Sequence, residues 1–204
     1  MTDERVVLVP ADRVERWCAN FADRHGVTAY DVRQGQLYGL ADNGSTALAE
    51  LPFDRAYDGP PDPASFVNAA VPPPAWGMLL VRKGGFAVAR LQGDRIVESK
   101  VGQRHVQGRT KAGGQSQQRF ARRRDNQARQ AYEAAADHAA RILGQVPVLV
   151  TGGDRSGVSE VLGDARISSL RVVSPWLDVP DPRRAVLERA IADACFVRIV
   201  VTNA

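Results

Sequence analysis

Gly113-Gly114-Gln115 is the stretch of this 204-residue chain whose residue types and order best fit a chemical task. Two glycines remove the Cβ atoms that keep a backbone away from a ligand and admit positive φ. The glutamine that follows carries amide donors and an acceptor but no titratable group, so it can orient a water molecule without exchanging protons with it. The surroundings are strongly basic. From Arg104 to Arg129 there are eight Lys or Arg residues against the single Asp125, a local charge of +7 in a chain of +4, so the remainder sums to −3.

Arg119, Arg122, Arg123 and Arg124 cover much of the first turns of a predicted helix that Phe120 does not occupy. An exposed helix can carry such residues as solvated charge, but a solubilising surface normally mixes both signs. Like charges at neighbouring helical positions also cost stability. The clustering is accounted for when a polyanion supplies the countercharge. Arginine offers forked donors suited to phosphate and a flat face that stacks on bases, which favours structured RNA over a generic acidic partner; no DNA partner is expected. His105 lies in the same basic stretch, yet no acid or nucleophile is placed by sequence to orient it, so it reads as an RNA contact or a bystander.

The elements that must position this tip follow from periodicity. A short strand at Val6 to Val9 precedes a helix opened by Pro10-Ala11-Asp12, with Val14, Trp17, Cys18 and Phe21 at helical spacing and an end near Gly26. Thr28 to Val32 and Gln36 to Leu40, joined by Gln34-Gly35, read as a hairpin. Residues 1–51 are therefore expected to form a small α+β unit. Residues 52–74 hold seven of the 12 prolines and read as a stiff connector without helix or central strand.

The main domain, 75–204, is expected to open with an antiparallel meander of Gly77 to Arg82, Phe86 to Gln92 and Arg95 to Val101. An exposed loop over 102–112 then leads through the Gly-Gly-Gln tip into a helix from Gln117 to Leu143. A strand at Val146 to Thr151, a helix near Ser156 to Leu162, a strand at Ser169 to Val173, a helix begun by Asp181-Pro182 and a strand at Phe196 to Val201 complete it. This order predicts an α/β (α+β) fold, a mixed sheet with helices on its faces.

Thr151-Gly152-Gly153-Asp154-Arg155-Ser156-Gly157 follows a strand and precedes a helix, as a phosphate loop does. It lacks the spacing and the Lys-Ser/Thr ending of the nucleotide-binding motif, so a structural turn is expected. Cys18 and Cys195 show neither metal-ligand spacing nor a disulfide framework and read as packing thiols, while His25 and His138 read as capping or surface residues. No apolar run approaches the ~20 residues that span a bilayer. Asp3 and Glu4 stand where a secretory signal carries positive charge. A soluble, cytoplasmic monomer is expected. Arg outnumbers Lys 24 to 3 and Ala is abundant, which points to a GC-rich bacterial genome.

The string Gly113-Gly114-Gln115-Ser116-Gln117-Gln118-Arg119-Phe120-Ala121-Arg122-Arg123-Arg124 resembles the peptidyl-hydrolase middle domain of eukaryotic and archaeal class-I release factors. There too the Gly-Gly-Gln tip is followed by Ser and an Arg-Phe-Ala-Arg helix start. The order of elements extends the resemblance over residues 75–204, and the chain is most similar to a bacterial, actinobacterial-type branch of the Vms-like release factors. Eukaryotic Vms-like members carry Gly-Ser-Gln at the tip, and the Gly113-Gly114-Gln115 of this chain leans toward class-I chemistry.

The resemblance implies hydrolysis of the ester between a nascent peptide and the 3′ end of tRNA on the large ribosomal subunit, with no metal or organic cofactor. Gln115 would orient the attacking water, and its backbone N–H would stabilise developing charge. Gly113 and Gly114 would let the tip fit a crowded RNA pocket. Arg104, Arg109, Lys111, Ser116, Arg119, Arg122, Arg123 and Arg124 would hold rRNA and peptidyl-tRNA. The chain lacks the second large domain that reading a stop codon requires, so codon-independent rescue is expected.

Two rival readings remain. A ribonuclease H-like nuclease shares the expected order of elements, but it needs metal-binding carboxylates beginning on its first strand, and Gly77 to Arg82 contains none. A non-catalytic ribosome- or RNA-binding protein would keep the basic helix and use Gly113-Gly114-Gln115 as an ordinary turn.

Overall fold

The computed structural model describes residues 3–103 and 115–204, with side chains over 4–102 and 129–204. The chain divides into two compact units, residues 1–72 with 192–204, and residues 73–191. The second unit is thus inserted, in sequence, into the first.

The first unit is a five-stranded antiparallel sheet built from β1 (Asp3–Val9), β2 (Thr28–Arg33), β3 (Gln36–Ala41), β4 (Thr46–Glu50) and β10 (Val197–Asn203), in the order β1-β10-β4-β3-β2. Strict alternation in β3 and β4 puts Leu37, Ala41, Ala47 and Ala49 on the covered face. Helix α1 (Val14–His25) follows a 3-10 turn at Ala11–Arg13 and buries Val14, Cys18 and Phe21 in the same core. Gly26, at φ +97, terminates it.

Two expectations are corrected here. The proline-rich segment contains a helix, α2 (Pro63–Ala69), where Pro63 takes the first turn and the Asp62 side chain accepts from the Ser65 N–H at 2.8 Å. An N–H missing from the first turn has no intrahelical partner to lose, so proline is tolerated there. The segment is not a free connector either, because Tyr57, Phe66 and Ala70 lie in the core of the first unit. The Tyr57 and Phe66 rings meet edge to face at 5.0 Å. The second correction concerns the last strand. β10 was expected in the main domain but pairs Val9↔Val197 with β1 and Ile199↔Ala49 with β4. Alternation alone says that a strand forms, not which sheet receives it.

The second unit holds β5 (Trp76–Arg82), β6 (Gly85–Gln92), β7 (Arg95–Gln103), β8 (Leu149–Gly153) and β9 (Val172–Leu177), in the order β7-β6-β5-β8-β9. β5, β6 and β7 form the expected antiparallel meander, while β8 runs parallel to β5 and β9 parallel to β8. Counted within the unit this is 3-2-1-4-5, the mixed α/β order of ribonuclease H-like domains. β5 reads as a continuous apolar run because Trp76 through Val81 are all buried. Helix α3 (Gln115–Leu143) follows the meander, α4 (Arg155–Leu162) makes the crossover between β8 and β9, and α5 (Arg184–Ala194) precedes β10. β9 begins three residues later than the strand expected at Ser169. The Asp164 carboxylate accepts from the Arg166 N–H, and its carbonyl accepts from the Ile167 and Ser168 N–H groups, winding that stretch into turns. Pro175 sits in β9, an edge strand, where a missing donor is tolerated.

Candidate functional site

The site is organised by α3. At about 1.5 Å per residue its 29 residues span roughly 43 Å. Its C-terminal part is an anchor: Tyr132, Ala135, Ala136, Ala139, Ile142 and Leu143 are buried against Leu79, Val81, Phe86, Val88 and Leu149 of the sheet. Small alanines at this spacing let the helix lie close on the strands, and the longer side chains fill the remainder.

Polar contacts fix both flanks of that anchor. Arg90 of β6 donates through Nε to the Ile142 carbonyl at 3.1 Å, capping the C-terminus, where the helix leaves acceptors unsatisfied. Arg141 pairs with Glu98 of β7, and Arg166 donates to Asp137 at 2.7 Å. His138 stacks on Phe86 at 5.6 Å, so it is a packing residue. Gly144, at φ +55, ends the helix. None of Arg90, Glu98 and Arg141 was singled out from sequence; Glu98 and Arg141 are 43 residues apart, and no local pattern reports such a pair.

At the other end, Gln115 is the first residue of α3 and Ser116 the second, two residues earlier than the helix start expected from apolar spacing. From Ala131 back to Gln115 is about 24 Å along the helix axis. Arg119, Arg122, Arg123 and Arg124 all belong to this part of α3. Gly113, Gly114, Arg104, Arg109, Lys111 and His105 lie outside the described residues.

The strand-to-helix turn after β8 resolves as packing. The Asp154 N–H donates to the Val81 carbonyl at 2.7 Å, binding the turn to β5. Gly153 has φ +96, and a Cβ there would collide with the Val81 carbonyl oxygen. A Cβ on Gly152 would lie 2.8 Å from Leu177 Cβ, on the neighbouring strand. Asp154 caps α4, accepting from the Ser156 hydroxyl at 2.9 Å, and Arg155 lies over the Trp176 ring at 4.3 Å. Both glycines are thus required by neighbouring strands. Gly157, on α4, faces the Tyr132 ring of α3 in the same way.

Among the described residues, no three His, Cys, Asp or Glu side chains converge as a metal site. β5 bears no carboxylate at the position where a ribonuclease H-like nuclease begins its metal set. Cys18 and Cys195 are free thiols. Burial pushes the Cys18 thiol above its ordinary value, which keeps it protonated and unreactive near neutrality. His25 packs on Phe21 at 4.6 Å and accepts or donates at 3.2 Å with Asn43, according to its tautomer. No helix among the described residues is long and apolar enough to cross a membrane.

Fold and site define a mixed α/β protein with ribonuclease H-like strand order, no nuclease carboxylate on its first strand, and a long anchored helix opened by glutamine and led by arginines. Residues 74–200, more than half of the chain, match the profile of the Actinobacteria/chloroflexi VLRF1 release factor family, and the chain belongs to that family. Among solved structures it is similar to the Vms1 mitochondrial localization core, with 12% identity and a TM-score of 0.43, over 80% of this chain and 75% of that one. It is also similar to Pelota of Archaeoglobus fulgidus, with 10% identity and a TM-score of 0.28, over 94% of this chain and 63% of that one. No curated protein matches it.

Proposed function

We propose that this protein is a codon-independent peptidyl-tRNA hydrolase that releases nascent chains from stalled large ribosomal subunits. The observation that carries this reading is the position of Gln115 as the opening residue of α3 within a region belonging to a release-factor family. Water held by the Gln115 amide adds to the ester carbonyl carbon. The bond to the tRNA 3′ oxygen breaks, one proton of the water ends on that oxygen and the other is released to solvent, leaving a peptide carboxylate and free tRNA. The backbone N–H of Gln115 stabilises charge on the oxygen as it develops.

Gly113 and Gly114 allow close approach to the peptidyl-transferase RNA. Arg104, Arg109, Lys111, Ser116, Arg119, Arg122, Arg123 and Arg124 hold rRNA and tRNA phosphates. The anchored C-terminal part of α3 supports this assignment, since a tip that positions water must be held by a rigid element. The protein acts in the cytoplasm as a monomer, with the ribosomal RNA and the terminal ribose supplying the remaining catalytic groups.

The test is release of labelled peptide from purified large subunit–peptidyl-tRNA complexes. Gln115→Ala is expected to lower release at least a hundredfold, the effect of losing a key donor, with binding within twofold of wild type. Equal loss of release and binding would remove Gln115 from the chemistry. Binding without release by either protein would make the chain a non-catalytic ribosome-associated factor, and stop-codon-dependent release would overturn the codon-independent reading.

A further inference from the structure

The first unit carries a groove with the composition of a nucleic-acid site, and the residues that line it lie outside the region that matches the family. Arg13, at the N-cap of α1, and Trp17, Asn20 and Arg24 on it follow one another at three- and four-residue spacing, so they share one stripe of the helix surface, and Arg16 lies four residues before Asn20 on the same side. Between that stripe and the neighbouring strands lie two open hollows of about 230 and 490 Å³, both lined by Trp17 and Asn20. Arg5 of β1 faces the first from across the groove, and Val7 and Val201 give it an apolar floor.

No acidic side chain lines either hollow. Among the described residues, no ion pair engages Arg5, Arg13, Arg16 or Arg24. By contrast Arg33, Arg82, Arg141, Arg166 and Arg198 are all paired with carboxylates. Trp17 is half-buried, and its indole is held parallel to the Phe21 ring, 5.6 Å away at 15°. A positively charged groove around a fixed aromatic plane fits single-stranded nucleic acid, in which phosphates take the guanidinium groups and a base takes the ring. An acidic peptide would satisfy the arginines but give the indole no flat partner.

We propose that this groove binds a single-stranded RNA segment, with phosphates on Arg5, Arg13, Arg16 and Arg24 and a base stacked on Trp17. Its biological partner rests on the ribosomal reading above, for which the groove provides an RNA contact separate from the α3 tip. Asn20 is placed to hydrogen-bond a base edge.

The experiment measures binding of a short fluorescein-labelled oligouridylate to full-length protein carrying Arg122→Ala, Arg123→Ala and Arg124→Ala, so that α3 does not dominate. Adding Arg13→Glu with Arg24→Glu is expected to weaken binding at least tenfold. It should also reduce the slope of log K against log salt by about 1.4, two phosphate contacts at ~0.7 each. Trp17→Leu should weaken binding about five- to 150-fold with the slope unchanged, and Trp17→Phe, which keeps a stacking ring and the core packing, should restore most of it. Unchanged affinity and slope after charge reversal would overturn the proposal. So would equal competition by polyglutamate of matched charge, which would assign the groove to acidic polypeptides. Gln115 takes no part in this assay, so failure of the groove and failure of the hydrolase reading are separately visible.

Discussion

Gly153→Ala tests whether the turn after β8 is shaped by packing or by a phosphate. An alanine at φ +96 takes on left-handed strain of about 1–2 kcal/mol. Its Cβ would also press on the carbonyl of Val81, with the carbonyl carbon at 3.1 Å. The neighbouring Asp154 N–H already donates to that same carbonyl, so the strand cannot simply retreat. Overpacking of this kind costs about 1–3 kcal/mol, giving a total of about 2–5 kcal/mol.

With a urea dependence of about 2 kcal/mol per molar, the unfolding midpoint should fall by roughly 1–2.5 M. Tryptophan fluorescence reads it. Trp76 is fully buried in the same unit, its Nε1 donating to the Gly93 carbonyl at 2.7 Å, and Trp17→Phe in both proteins silences the first unit. A midpoint unchanged from wild type would refute the packing explanation. If Gly153→Ala also abolished a nucleotide affinity present in wild type, the turn would be a phosphate loop after all.

Charge reversal of Arg122, Arg123 and Arg124 should weaken binding to large subunits and lower the salt slope by about 2–3, at ~0.7–0.9 per phosphate lost; binding insensitive to both salt and these changes would end the RNA-docking idea. Hydrogen bonds from Arg166 hold the Asp164 carboxyl down at about 2 from its ordinary 3.8. A group whose folded value is depressed stabilises the fold above its unfolded value and loses that contribution as pH falls through the folded one. Melting temperature should therefore decline between about pH 4 and pH 2 in wild type, and Asp164→Asn should flatten that part of the curve; identical acid limbs would show that the Asp164–Arg166 contact has no weight.

Local signals were legible and long-range ones were not. The tight turns Lys83-Gly84-Gly85 and Gly93-Asp94 announce the β5–β6–β7 meander, and the apolar stripe from Tyr132 to Ile142 announces the anchored part of α3. Proline count hid α2, because the rule against proline in helices does not apply at the position Pro63 occupies. The destination of β10 was invisible, since its Val-Arg-Ile-Val-Val pattern would suit either sheet. For the candidate site, residue order gave the tip and the basic helix start. The Arg90, Glu98 and Arg141 contacts that fix the helix depend on strand register, which single residues do not encode. The arginines around Trp17 were legible only as helix surface, because Arg5 and Val201 come from opposite ends of the chain.

The placement of β10 sets an order of assembly. β1 and β4 are neighbours only through it, each giving one edge to its two flanks. As the chain is made, residues 73–191 have every strand of their own sheet before residues 197–203 exist, whereas the unit synthesised first must wait with β1 unpaired and one edge of β4 open. Such edges invite pairing with other chains. The unit made first is therefore finished last, and a product broken off before Val197 is left with an open sheet in its first unit, a built-in mark of incomplete synthesis.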